Sequence, residues 1–251
     1  MVRFFTETQN ISDSSIKMNK EDSEHIRVLR LRPDEQFIVC DGNGIDYVCC
    51  LGERGDHTTV NIISQQRSIG EPSLMCKVFI AFQKGDRLDY AVQKSVELGA
   101  HEIVLFESGR CIAIPHDLHK KTERLQRIAL ETAKQCNRGI IPKVSSGGNF
   151  DTVVNEVSKC SGVSLLFYES EEYLHLKKVL EENFLPMRES EEYKIKTISI
   201  VTGPEGGFEP HEIELARSKD IKIVSLGSRI LRSETAPVVA LAAIMYHTGN
   251  L

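Results

Sequence analysis

The sequence predicts an α/β protein preceded by a small β-rich unit, and three features carry that prediction. Short β-branched segments broken by Gly and Asp turns occupy the chain up to about residue 70. From residue 74 apolar strands alternate with longer helical patterns. One of those strands ends in Thr-Gly-Pro-Glu-Gly-Gly at 202–207 and leads straight into an acidic, helical stretch. Strands that pass through glycine turns into helices are the repeating unit of a mostly parallel sheet.

The elements follow in order. FIVCDGNG (37–44) is a strand running into a Gly-rich turn, and IDYVCCLGE (45–53) and TTVNIISQQ (58–66) continue with partial alternation, the pattern of a small β-barrel. Ahead of them EDSEHIRVLRL (21–31) predicts a short helix carrying His25, Arg27 and Arg30. Glu71-Pro72-Ser73 punctuates the chain and places a boundary between domains 1–72 and 73–251. Beyond it MCKVFIAF, EIVLF, VSLLFYE, TISIVTG and IKIVSLG predict strands. DRLDYAVQKSVELG, HKKTERLQRIALETAKQC, EPHEIELARSK and TAPVVALAAIMYHT predict helices. The two ESEEY stretches, 169–173 and 189–193, read as exposed linkers.

Composition narrows the function. A chain of 251 residues, 41% apolar and 27% charged, is neither fibrous nor disordered. No apolar run approaches a bilayer span, and MVRFFTETQN lacks the apolar core of a signal peptide, so a cytoplasmic protein without membrane contact is expected. Seven cysteines form no C-x-x-C pair and no Cys/His ligand spacing; buried free thiols, and no metal, are expected. The formal net charge of −5 argues against a globally basic nucleic-acid binder. Residues 110–143 nevertheless carry a local excess of five positive charges, a patch that can attract phosphate, with a plain solvated helix face as the alternative.

Ligands of parallel sheets bind at the carboxyl ends of strands, where 202–207 lies. The turn lacks the Gly-Lys-Ser/Thr of a phosphate loop, and the Glu205 carboxylate would repel a polyphosphate. It is not G-x-G-x-x-G either. A neutral or cationic ligand with hydrogen-bonding edges suits it better. A second strand-turn-helix, IVSLGSRILRSETAPVV, follows about twenty residues on. Either loop alone could be a capped connection.

Together, TGPEGGFEPHEIELA and LGSRILRSETA resemble the SPOUT class of S-adenosylmethionine-dependent RNA methyltransferases, and within it the bacterial family that methylates N3 of a uridine in 16S ribosomal RNA. HIRVLR, DGNG, QKGDRLDYAVQKSVELGAHEIVLF and KQCNRGIIP extend the resemblance along the whole chain. Lys134, where an acid is usual, and Ser228, where proline is common, depart from the pattern.

The resemblance implies a PUA-like barrel and a SPOUT domain whose last loops thread into a trefoil knot. It implies S-adenosylmethionine held by Leu166, Tyr168, Thr202, Gly203, Glu205, Gly206 and Gly207, with Leu226, Gly227, Ile230, Leu231 and Arg232 closing the other side. The sulfonium is positive, so Glu205 is tolerable beside it. Because uracil N3 carries a proton and its lone pair is delocalised, transfer needs a base or a cation facing charge on O2 and O4. Arg232 is the expected cation and Glu205 the candidate base, while an Arg232–Glu234 ion pair or a helix cap is the bland alternative for Arg232. Expected RNA contacts are Arg3, His25, Arg30, Arg127, Gln135 and Arg138. The expected partners are 16S ribosomal RNA within the assembled small subunit and a second copy of the chain, docked through the apolar, Ala-rich C-terminal helix.

Two rival functions stand beside this one. Ribose 2′-O-methylation is disfavoured by Glu97, which stands where relatives of that kind carry the asparagine of an Asn-x-Gly-x-x-x-Arg motif. A non-catalytic RNA-binding assembly factor is disfavoured by the intact cofactor loops.

Overall fold

The structure, a computed structural model, describes residues 1–53, 57–184 and 197–251. The ESEEY stretch at 189–193 lies outside the described residues.

The first strands are short and cooperate. β1 (Arg3–Phe5), β2 (Ser15–Lys17), β3 (Phe37–Cys40), β4 (Ile45–Leu51) and β5 (Thr59–Arg67) form a curled sheet in the order β1-β3-β4-β5-β2. β1 runs parallel to β3 and the other pairs are antiparallel. The turn between β3 and β4 is dictated locally: the Asp41 carboxylate accepts the amides of Asn43 and Ile45, and Gly42 and Gly44 both adopt positive φ. α1 (Lys20–Leu29) begins where the Asn19 side chain accepts the Asp22 amide, and ends at Arg30 in the left-handed region. Phe4, Ile16, Met18, Ile26, Phe37 and Val39 form the core of this unit.

The second sheet is parallel throughout. It holds β6 (Met75–Ala81), β7 (Glu102–Glu107), β8 (Lys143–Asn149), β9 (Val163–Phe167), β10 (Thr197–Thr202) and β11 (Lys222–Val224) in the order β11-β9-β10-β6-β7-β8. Its helices are α2 (Arg87–Glu97), α3 (Leu118–Gln135), α4 (Phe150–Val157), α5 (Leu176–Asn183), α6 (Pro210–Ser218) and α7 (Thr235–His247). Val78, Phe79, Ile80 and Ala81 are all buried, the continuous apolar run of a strand covered on both faces. On one face Phe79, Phe106 and Val201 pack with Phe150 and Val153 of α4 and Ile213 and Ala216 of α6. α6 starts on a capping box between Glu209 and Glu212 with Pro210 in its first turn.

The chain divides into two compact units, residues 1–71 with 131–141, and residues 72–130 with 142–251. The first break falls beside the Glu71-Pro72 punctuation. The excursion 131–141, however, is counted with the N-terminal unit, which a cut at 72 did not anticipate. Its cause is Glu71, whose carboxylate accepts from Arg138, Gly139 and Ile140.

Several expectations are corrected by these packings. Arg3 is a buried strut whose Nη1 and Nη2 donate to the two oxygens of Asp46 at 2.5 and 2.7 Å, so it has no free face for RNA. Arg138 is likewise spent inside its unit on Glu71. The basic stretch 110–143 is largely paired: Lys121 and Arg124 with Asp89, Lys120 with Asp117, Lys134 with Asp22 and Glu131. Residues 169–173 are no simple exposed linker, since Glu171 is buried and paired with Arg217. No disulfide joins the seven cysteines, but only Cys40, Cys49 and Cys76 are buried; the other four are partly exposed. No helix among the described residues is long and apolar enough to cross a membrane.

Candidate functional site

Three neighbouring strand ends build the site. Register aligns Phe167 of β9 with Thr202 of β10 and with Val224 of β11. The residues that follow each strand therefore emerge side by side: Tyr168 and Glu169, Gly203 to Gly207, and Ser225 to Leu226. Backbone bonds lash two of these segments together, because Tyr168 donates to the Val224 carbonyl, Ser225 to Leu174, and Leu176 to Ser225. A cavity of about 500 Å³ opens between them, within the usual range for a small-molecule site.

Its walls are two glycine turns. In the first, Gly207 donates to the Pro204 carbonyl and takes φ +69°. A Cβ on Gly207 would lie 2.4 Å from Glu169 Oε1, and one on Gly206 would lie 2.9 Å from Arg110 Cβ and 3.1 Å from the Arg110 carbonyl. In the second, Gly227 at φ +115° donates its amide to the Ser225 hydroxyl and leads into residues 229–234. Ile230 stands 84% exposed at the rim, an apolar side chain left for a ligand to cover. Phe208 is buried against Phe150 and also borders the cavity.

Of the expected cofactor residues, Tyr168, Gly203, Glu205, Gly206, Gly207, Leu226, Gly227, Ile230, Leu231 and Arg232 line this cavity. Leu166 and Thr202 do not. Leu166 is packed in the core, and the fully buried Thr202 hydroxyl donates to the Phe79 carbonyl. Both are strand residues one step too deep, where the pleat aims side chains into the sheet's packing layers.

The charges in the cavity are balanced. Glu205 Oε1 accepts from the Lys84 amide at 2.9 Å and from Arg87 Nη1 at 2.8 Å, while Oε2 is buried without a partner. Burial pushes the Glu205 carboxyl up, but the Lys84 amide, its own backbone N–H and the Arg87 guanidinium outweigh this and hold it below the usual range. It is thus an anchored, ionised group and a weak base, which counts against the expected proton-accepting role. Arg232 lines the cavity, exposed, and forms no ion pair among the described residues. Glu234, its suspected partner, lies 3.9 Å from Arg87 Nε instead.

Residues that sequence reasoning did not single out include Arg87, Glu169, Phe208 and Arg229. Arg87 had a signal. It sits within the quoted QKGDR stretch, in the first turn of the helix after β6, the strand directly beside β10.

A parallel sheet with glycine-walled strand ends around one cavity is the setting of a small-molecule site, and the family models give its class as RNA methyltransferase. The family model described as "RNA methyltransferase domain" matches residues 71–245, and one described as "RNA methyltransferase PUA domain" matches residues 19–60. The chain belongs to the family of ribosomal RNA small subunit methyltransferase E. The Bacillus subtilis protein of that name is 32% identical over 259 residues, covering 100% of this chain and 98% of its own. The Synechocystis protein is 34% identical over 218 residues, covering 87% and 68%. The Neisseria gonorrhoeae protein of the same name, solved bound to S-adenosylmethionine, superposes with a TM-score of 0.83 at 28% identity, covering 98% of this chain and 97% of its own.

Proposed function

We propose that the chain transfers a methyl group from S-adenosylmethionine to N3 of a uridine in 16S ribosomal RNA. The observation that carries this reading is Arg232: a guanidinium on the wall of a glycine-lined cavity that forms no ion pair among the described residues, whereas Arg87 on the same wall is held by Glu205. When bound, the cofactor supplies an electrophilic methyl on a cationic sulfur. The residues present suit it. Gly203, Gly206 and Gly207 leave backbone groups bare, Ile230 offers an uncovered apolar face, and Glu169, Glu205 and Glu234 give the cavity three carboxylates that favour a cation.

In this reading Arg232 faces the uracil carbonyls and stabilises the charge that O2 and O4 gain as N3 gives up its proton to solvent. Glu205 keeps the first glycine turn in place and takes no proton. His25, Arg30, Arg127 and Gln135, all exposed, are the proposed RNA contacts. The working form is a homodimer acting on RNA within the assembled subunit, in the cytoplasm. Val239 and Tyr246 of α7, the latter 77% exposed, support a partner copy on that helix. The threaded knot belongs to the same proposal.

The test is methylation of small subunits lacking the modification, followed by nucleoside chromatography. The expected product is 3-methyluridine, with Arg232→Met lowering kcat by roughly 10²- to 10³-fold at little change in KM. A 2′-O-methyl product overturns the assignment.

A further inference from the structure

Arg87 is the residue on which both walls of the cavity converge. It stands in the first turn of α2 and lines the cavity. Its Nη1 lies 2.8 Å from Glu205 of the first glycine turn, and its Nε lies 3.9 Å from Glu234, just past the second. The neighbouring Lys84 amide takes the same Glu205 oxygen, so one corner of the sheet secures the first turn twice. Glu234 sits two residues from Arg232, close enough along the chain for the two to pair, and it is the natural competitor for that guanidinium. Yet Glu234 is drawn to Arg87, and Arg232 is left without an acid among the described residues.

We infer that Arg87 is a positioning residue that occupies Glu205 and Glu234 together, fixes the separation of the two glycine turns, and thereby keeps Arg232 free for the substrate. This rests on the reading of Arg232 as the stabilising cation. The physical argument is competition: in a partly desolvated cavity a free carboxylate captures the nearest guanidinium, so one arginine must satisfy the acids before another can serve the reaction. Without Arg87, Glu234 or Glu205 captures Arg232, and kcat falls while the cavity stays intact. Removing Arg87 should leave folding undisturbed, because its side chain is 42% exposed.

The test is single-turnover methyl transfer together with calorimetric binding of S-adenosylmethionine. Arg87→Met is expected to lower the transfer rate about 10- to 100-fold, the scale of a misplaced catalytic group. Arg87→Lys should fall in between, since an ammonium reaches one acid and not both. The decisive variants are Arg87→Met combined with Glu234→Gln, and with Glu205→Gln. If Arg87 acts by occupying these acids, at least one double variant recovers about tenfold of the lost rate. A purely structural role for Arg87 predicts further loss in both doubles, and that result overturns the proposal. Arg232→Met, run alongside, separates the two ideas. If it keeps full activity, the reading of Arg232 fails; if it is inactive while neither double recovers, the role of Arg87 fails and that of Arg232 stands.

Discussion

The guanidinium of Arg138 grips both oxygens of Glu71, Nε to Oε1 and Nη2 to Oε2, each at 2.8 Å, with the Arg138 side chain only 3% exposed. Glu71 Oε1 also accepts the amides of Gly139 and Ile140 at 2.8 and 3.0 Å. One carboxylate thus fastens the turn after α3 into the N-terminal unit. Bidentate charge-assisted bonds of this kind fix geometry, and breaking a buried pair strands the surviving charge. Arg138→Ala should therefore lower the unfolding free energy by about 3 to 5 kcal/mol, read from urea denaturation. An unchanged midpoint would mean that the pair holds nothing.

RNA binding should respond to different residues. Arg30 and Arg127 are exposed and form no ion pair among the described residues, unlike most of the basic stretch 110–143. Replacing both by glutamate should weaken binding and flatten the slope of log K against log[salt] by roughly 1.5 to 2, one lost counterion-release unit per contact. Thermal midpoint and cofactor affinity should stay at their original values. A salt slope equal to that of the unmodified protein would assign the RNA grip to other residues.

Much of the architecture was legible because it is written in local patterns. The strand from Met75 to Ala81 and the helix from Arg87 to Glu97 lie within a residue or two of the stretches that predicted them. What escaped had weak patterns. β1 and β2 are three residues each, and β8 reads KVSSGGN, with one apolar residue in seven. These strands exist because neighbours pair with them, a long-range cause that periodicity does not record. The site followed the same rule. The glycine turns were visible as sequence, whereas Arg87 gained its place only when β6 came to lie beside β10. Arg3 and Arg138 were misjudged because a buried, paired arginine and an exposed one look alike in a sequence.

The first glycine turn offers a sharp test of the cofactor site. A side chain on Gly206 meets Arg110 at its backbone carbonyl as well as its Cβ, and a backbone atom cannot swing aside. The Arg110 guanidinium in turn donates to the Gly206 carbonyl at 3.2 Å, so the two segments shift together. Gly206→Val should cost about 1 to 3 kcal/mol of overpacking at this turn, roughly a 5- to 150-fold loss of S-adenosylmethionine affinity by calorimetry. Size-exclusion behaviour should not change. Unaltered affinity would remove this turn from the binding surface.

Stability should depend on pH through Glu171. Burial raises its carboxyl, but the amides of Tyr173 and Leu174 and the Arg217 guanidinium more than offset this, and the folded pKa lies below the ordinary value. Asp46, paired with Arg3, and Glu205 are shifted in the same direction. A depressed folded pKa means that the unfolded chain binds the proton more readily. The stabilisation is therefore fully present above the unfolded value of about 4.3 for Glu and is lost as pH falls through the folded value. Asp22, whose carboxyl is raised chiefly by burial, works the opposite way: its contribution is present at low pH and lost as pH rises. Glu171→Gln removes one titration and leaves Asp22 untouched, so the comparison isolates Glu171. The glutamine oxygen still accepts an amide but offers Arg217 no charge. Urea unfolding should find the variant less stable at pH 7, with the two curves converging as pH falls to where the folded Glu171 is itself protonated. Curves that stay parallel down to that pH would show that the Glu171 charge contributes nothing to folding.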